Sequence, residues 1–425
     1  MLKKGLRKIA IVLAAAALLT LAAGALAQDE PHQRGYAAYR AGRFDDAIAL
    51  FNQVVEEFPE WHYSRFMLGR CYKAKGDAAS RAGRTTQAAG FYRTAIQHYT
   101  VAANNATETN EVFNTNYELA DTYYKMDEYA RALEFAASAL RLREARIYSQ
   151  ALPQIRLIQG FSHYYLGQYR DAVTAFRPLV DAGDASANVL RAVASSYQEL
   201  GDNANAVAVI QVAVREDPQD IIAHKILIKS QINAGQWAEA INSAAFALRY
   251  HERDWEIHYL KGRAHNRLNQ LDQALEHLRR SIVIQAHEYV NRLLGDVLVR
   301  RGEWREATRA YNAAQREYAN DPAFYTKFAF CWYQYVPSDA ERYHGTSQER
   351  GYLQALGNAT ELLEHASSIE GADSEQIAAM LAGINNKRQR LEQGRFIAVT
   401  IESYIDPETG EIVRREVTGS ENPDQ

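Results

Sequence analysis

Between residues 153 and 287, apolar and small residues return to the same places with a period of roughly 34 residues. Ala172, Ala206, Ala240 and Ala274 mark one such place. Five residues earlier stand Gly167, Gly201, Gly235 and Asn269. Four residues later stand Phe176, Ile210, Ala244 and Leu278, and three further on Leu179, Ala213, Ala247 and Ser281. Apolar positions spaced by three and four residues form one face of a helix. A small residue at a fixed place lets two helices approach closely, and Gly or Asn fits the left-handed turn that ends a helix. Each block therefore predicts one helix–turn–helix hairpin. A single hairpin is too small to bury its own apolar face, so the blocks must stack.

The flanks follow the same plan less regularly. Block one runs from Gln28 to about Trp61, with Gly35, Gly42, Phe44, Ala47, Phe51, Val54 and Pro59 in register. Block two begins near His62 and is roughly 17 residues longer than the period. Its segment Asp77–Ala102 predicts two extended helices joined around Gly83-Arg84-Thr85, with Thr85 as an N-cap. Block three carries Tyr117, Leu119, Ala120, Tyr123, Tyr129, Ala132 and Ala139. Block eight carries Gly295, Gly302, Trp304, Ala307, Tyr311 and Ala314 and closes at Pro322. Beyond Pro322 the period fades. Residues 323–395 read as a helical cap, made of Ala323–Tyr335, Gly351–Ser368 and a helix from Ser374 to Gln393. Phe324, Phe328 and Trp332 share a face that would cover block eight. Residues 396–417 alternate β-branched and aromatic residues around a turn with Gly410, a β-hairpin signal. Residues 418–425 form a polar tail expected to be disordered.

The pattern L-G-x-x-Y, then A-x-x-x-F, then P resembles the signature of the tetratricopeptide repeat family. Here it stands as Leu68-Gly69-Arg70-Cys71-Tyr72, and as Ala47-Ile48-Ala49-Leu50-Phe51 with Pro59. The resemblance spans roughly residues 28–322 by the period. It implies an all-α, right-handed α-solenoid of about eight hairpins, whose first helices line a concave groove. Places 2, 5, 9, 12 and 13 of each repeat would face inward. Carried onto this chain, those places give Tyr124 and Tyr164 in the tyrosine-rich blocks. In blocks six to eight they give Lys225, Lys229, Tyr259, Arg263, Arg267, Arg292 and Arg300. Some members of the family grip a C-terminal carboxylate with Lys, Asn and Arg. Leu260 stands where the Asn would be needed, so that clamp is not expected here.

Composition narrows the setting. Residues 1–27 hold Lys3, Lys4, Arg7 and Lys8, an apolar run from Ile9 to Leu21, and Ala25-Leu26-Ala27. This is a signal peptide pattern with cleavage after Ala27, which predicts export, with the periplasm as the destination. An uncleaved anchor is the alternative, since about 19 apolar residues can just span a bilayer. The remaining chain has 44 basic and 52 acidic residues, the 48 basic ones less those four against an unchanged acidic count. That net charge disfavours nucleic acid as a partner. The two cysteines, Cys71 and Cys331, sit far apart among apolar residues and read as buried thiols.

No H-E-x-x-H, G-x-S-x-G, P-loop or dinucleotide fingerprint occurs. His258 and His265 share a helix face but stand ~10 Å apart along its axis, too far for one ion. No cofactor or metal is expected. The expected function is a non-catalytic protein–protein interaction scaffold in the bacterial cell envelope, serving assembly of envelope machinery. It would hold a partner protein or peptide in a preformed Tyr/Arg/Lys groove. Aromatic rings with polar tips suit such surfaces, and Arg adds planar bonding to carboxylates. A glycan-binding module for polysaccharide export or cell-wall metabolism is the alternative, favoured by the tyrosine-rich blocks.

Overall fold

The computed structural model describes residues 31–394 and the backbone of 401–405 and 412–416. The expected leader at 1–27 and tail at 418–425 lie outside the described residues. The chain divides into two compact units, residues 1–209 and 210–425.

The first unit runs through α1 (31–40), α2 (Phe44–Glu57), α3 (His62–Arg81), α4 (Thr85–Asn105), α5 (Thr109–Lys125), α6 (Tyr129–Leu140), α7 (Tyr148–Tyr165), α8 (Tyr169–Asp181) and α9 (Ala187–Glu199). The helix α10 (Asn203–Glu216) spans the boundary between the units. From α2 to α9 each helix packs on the next, and first helices also touch, α5 on α7 and α7 on α9. The repeating places explain this. Ala47, Ala132 and Ala172 expose no surface at all. Opposite them the first helices present glycine to an aromatic ring: Gly35 to Phe51 and Gly160 to Phe176. The turns need a left-handed residue, and Gly167, at φ 72°, supplies it in block four. Asp127, at φ 60°, does so in block three, where a carboxyl-bearing side chain tolerates that conformation.

The insertion in block two is two lengthened helices, and Thr85 begins α4 while Arg84 occupies the N-cap. The geometry of the lengthening is visible in its contacts. Gly76 of α3 faces the Tyr92 ring of α4, at the same separation along the chain as Gly160 and Phe176 in block four. A second pair, Gly69 and Tyr99, lies farther from the turn and repeats the first one along both helices. The step from pair to pair is about two helical turns on each helix, which keeps the packing face in phase. The result is a longer hairpin with one continuous seam.

The second unit holds α11 (Ile221–Asn233), α12 (Trp237–Ala247), α13 (Trp255–Arg267), α14 (Leu271–Ile284), α15 (Glu288–Arg300), α16 (Trp304–Ala314), α17 (Pro322–Tyr335), α18 (Glu349–Ser367) and α19 (Ser374–Gln393). Here too α11 packs on α13 and α13 on α15. Asp220, Asp254 and Asp321 cap α11, α13 and α17 through their carboxylates.

One expectation changes. First helices start at Ile221, Trp255, Glu288 and Pro322, each one period after the last to within a residue. The repeat therefore continues through Pro322 into a ninth hairpin, α17 with α18. Only the connection Val336–Gln348, with its 3-10 turn Ala340–Tyr343, is irregular. Phe324 and Phe328 do cover block eight, with ring centroids 5.5 and 6.0 Å from Tyr311. The terminal helix α19 fastens the connection. Its buried Lys387 donates to the carbonyls of Tyr333 and Val336 at 3.0 and 2.8 Å, and Arg390 donates to Glu341 at 2.6 Å. Its N-cap is Asp373, with Ser374 the first helical residue.

Of the stretch 396–417, Ile401–Ile405 and Ile412–Glu416 are described as two antiparallel strands, with Ile405 opposite Ile412. The expected turn with Gly410, and residues 396–400, lie outside the described residues. No helix among the described residues is long and apolar enough to cross a membrane.

Candidate partner-binding site

Helical spacing gathers one set of side chains in the second unit. On α13, Tyr259, Arg263 and Arg267 are four residues apart and share a face. On α15, Tyr289, Arg292, Asp296 and Arg300 recur at three and four. Together with Tyr318 and with Lys327 of α17 they line a pocket of about 440 Å³. Five of the nine residues expected in the groove therefore meet in one pocket: Tyr259, Arg263, Arg267, Arg292 and Arg300.

The pocket is basic in a specific way. Arg263, Arg267, Arg292, Arg300 and Lys327 face one lining carboxylate, Asp296, which already accepts from the Tyr311 hydroxyl at 2.6 Å. Among the described residues no carboxylate lies in ion-pair range of Arg263, Arg267 or Lys327. Arg300 donates to the backbone and side-chain oxygens of Asn266 at 3.0 and 2.6 Å and to Asn269 at 2.6 Å. Those bonds fix where its guanidinium stands. Arg292 lies 4.5 Å over the Tyr318 ring and 3.5 Å from Asp321. Burial pulls its pKa down, but Tyr318, Asp296 and Asp321 outweigh burial and hold it above the ordinary value. Arg267 stacks over Trp237 at 5.6 Å.

Tyr259 and Tyr289 meet edge to face at 5.1 Å. Burial raises the Tyr259 phenol and pushes Tyr289 up to about 12, so both remain hydroxyl donors at neutral pH. Guanidinium, ammonium and phenol groups all donate here, and the walls are aromatic. The arrangement suits an acceptor-rich anion joined to an apolar group.

The other four expected residues lie elsewhere. Lys225 is paired with Asp254 and Glu256, each at 2.9 Å, and Lys229 with Glu256 at 2.5 Å. Their charge is spent within the chain. In the first unit Tyr124 sits 6.0 Å from Tyr129 and 6.5 Å from Phe161, and Tyr164 meets Tyr165 edge to face at 5.5 Å. They belong to an aromatic cluster in which Tyr129 and Tyr165 stack at 4.9 Å. The charges of blocks two and three are tied up as well: Lys73 contacts Glu118 and Asp121, and Lys125 contacts Asp77 and Asp121. Burial works against the charge on Lys73, but Glu118 and Asp121 hold its pKa above the ordinary value.

Cys71 and Cys331 are free, buried thiols. His258 and His265 are joined by a third ring from α14, His277. Its Nδ1 lies 3.2 Å from that of His258, and its ring stacks 5.6 Å from His265. No group of residues that could hold a metal ion occurs among the described residues. The cluster carries a pH prediction. Burial lowers all three pKa values, and drives His277 to about 3. Unfolded histidine titrates near about 6.5, so below that pH the unfolded chain takes up protons that the folded chain refuses. This stability is fully present above about pH 6.5 and is lost as pH falls toward 3. Denaturant unfolding at pH 7 and 4.5 should show the second unit weakening, and His277→Leu should reduce that difference.

The tetratricopeptide repeat family model matches residues 32–103, 159–221 and 227–289. Among solved structures, a thermophilic TPR protein from Thermus thermophilus is 20% identical, over 42% of this chain and 97% of its own, with a TM-score of 0.34. YrrB, described as a TPR protein with an unusual peptide-binding site, is 20% identical over 45% of this chain and 94% of its own, with a TM-score of 0.38. A tetratricopeptide repeat protein from Parabacteroides merdae is 15% identical over 63% and 97%, with a TM-score of 0.36. No curated protein sequence matches the chain. Its hairpins, left-handed turns at the family spacing and three matched regions place the chain in the tetratricopeptide repeat family.

Proposed function

We propose that this chain is a non-catalytic scaffold which holds an acidic segment of a partner protein in the pocket between Tyr259, Arg263, Arg292 and Lys327. Tetratricopeptide repeat proteins generally mediate protein–protein interactions. The observation that carries the finer reading is the charge imbalance of the pocket, five cations against one lining carboxylate already engaged by a hydroxyl. Basic groups in excess of acidic ones raise the local concentration of anions and fix their orientation. The leader pattern of residues 1–27 supports export to the periplasm, with assembly of envelope machinery as the setting.

A glycan ligand is the second reading. It rests on the first unit, where Tyr165 is 55% exposed and stacked on Tyr129. Titrating the full chain with a glutamate-rich peptide ending in phenylalanine, and separately with a neutral envelope polysaccharide, separates the two. Peptide binding that weakens with salt supports the scaffold, because exposed charges are screened within about 8 Å at physiological ionic strength. Polysaccharide binding indifferent to salt, with no peptide binding, replaces it with the glycan reading.

A further inference from the structure

Another cavity in the second unit is on a different face from the basic pocket. It is a cleft of about 700 Å³ walled by the second helices α16 and α18 and floored by α17. Three side chains of α17 make the floor: Tyr325, Phe328 and Trp332. They recur at three and four residues, so they form one stripe about 10 Å long, two helical turns. Lys327, which lines the basic pocket, stands about 100 to 160° around the same helix from them. The two cavities therefore use opposite faces of α17.

The walls differ in charge. Arg305 and Arg309 rise from α16 one turn apart, both exposed. Among the described residues no carboxylate lies in ion-pair range of either. The α18 wall offers the half-buried Leu362 and the exposed Glu361. An elongated aromatic trough between two helices, with cations along one side, has the form of a groove for a third helix.

We propose that this cleft is a second docking site, which takes an amphipathic helix of a partner protein whose acidic residues face α16. Its apolar residues at i, i+3 or i+4, and i+7 lie over Tyr325, Phe328 and Trp332. Asp or Glu residues one turn apart meet Arg305 and Arg309. Two turns of such a helix match the length of the stripe. The site does not depend on the basic pocket being a peptide site.

The test places a photoreactive phenylalanine analogue at position 312, on the α16 lip of the cleft, in the full chain within its source cell. Crosslinked segments are identified by mass spectrometry. The expected adduct is a segment of another protein with apolar residues at helical spacing and acidic residues beside them. It falls at least tenfold in the Arg305→Glu, Arg309→Glu double variant and is unchanged in Arg93→Glu, an exposed charge reversal in the first unit. Both arginines are exposed, so circular dichroism should show the double variant folded. The proposal is overturned by an adduct with a second copy of this chain or with its own residues 1–30 or 395–425. It is equally overturned by a partner segment lacking the acidic flank, by an adduct indifferent to the double variant, or by no adduct.

Discussion

Gly160→Ala should destabilise the first unit by about 3 kcal/mol, the upper end of what overpacking costs. The added Cβ would sit 2.3 Å from the Phe176 ring, which is fully buried and has nowhere to retreat. The close approach of α7 and α8 exists because one helix offers no side chain where the other offers a ring. Phe176→Leu removes ring atoms from the clash, so the double variant should recover part of the loss that Gly160→Ala causes alone. Two destabilisations that simply add would show that the glycine is needed for another reason. Gly90 gives the contrast. It lies inside α4, exposed, and a Cβ there meets nothing within 4 Å. Gly90→Ala should stabilise by about 0.5–1 kcal/mol through helix propensity alone. Urea unfolding of the three single variants and the double variant measures all of this.

The second large effect concerns binding. Arg263→Glu together with Lys327→Glu should weaken an acidic peptide at least a hundredfold, about 2.7 kcal/mol. Both side chains line the pocket without a carboxylate partner, so reversal removes two attractions and adds two repulsions. Lys229→Ala should change the affinity less than threefold, because Glu256 already holds that ammonium at 2.5 Å. Equal losses from all three positions would mean a diffuse electrostatic attraction and no specific pocket. Calorimetric titration at two salt concentrations distinguishes these outcomes.

The period made much of this readable in advance. Ala172, Ala206, Ala240 and Ala274 are all fully buried, and Gly167, Gly201, Gly235 and Asn269 all have positive φ. A repeat constrains the backbone at the same places each time, so identity at those places carries geometry. The convergence of Tyr259, Arg263, Arg292 and Arg300 was legible for the same reason, since first-helix places line one face.

The rest depends on neighbours the period does not specify. Lys327 lines the pocket, but the long connection Val336–Gln348 masks the ninth hairpin that carries it. The spacing of Pro322 from Glu288 was the available signal. Lys225 and Lys229 stand at groove places of the repeat, yet Asp254 and Glu256 at the start of the next first helix neutralise them. Lys225 and Asp254 are separated along the chain by the same interval as Arg292 and Asp321, another contacting pair. A basic residue at that interval before an N-capping Asp is therefore a warning that its charge is committed. The cleft between α16 and α18 has no sequence signal beyond Trp332, because the period does not specify how two second helices flank α17.

The central claim is that the basic pocket of the second unit grips a partner protein. Its most direct test is crosslinking with mass spectrometry in the source cell, comparing the unaltered chain with the Arg263→Glu, Lys327→Glu variant. A discrete protein partner that crosslinks to the unaltered chain through an acidic segment and is lost in the variant is the predicted result. A partner that survives the variant, or no protein partner at all, would contradict it.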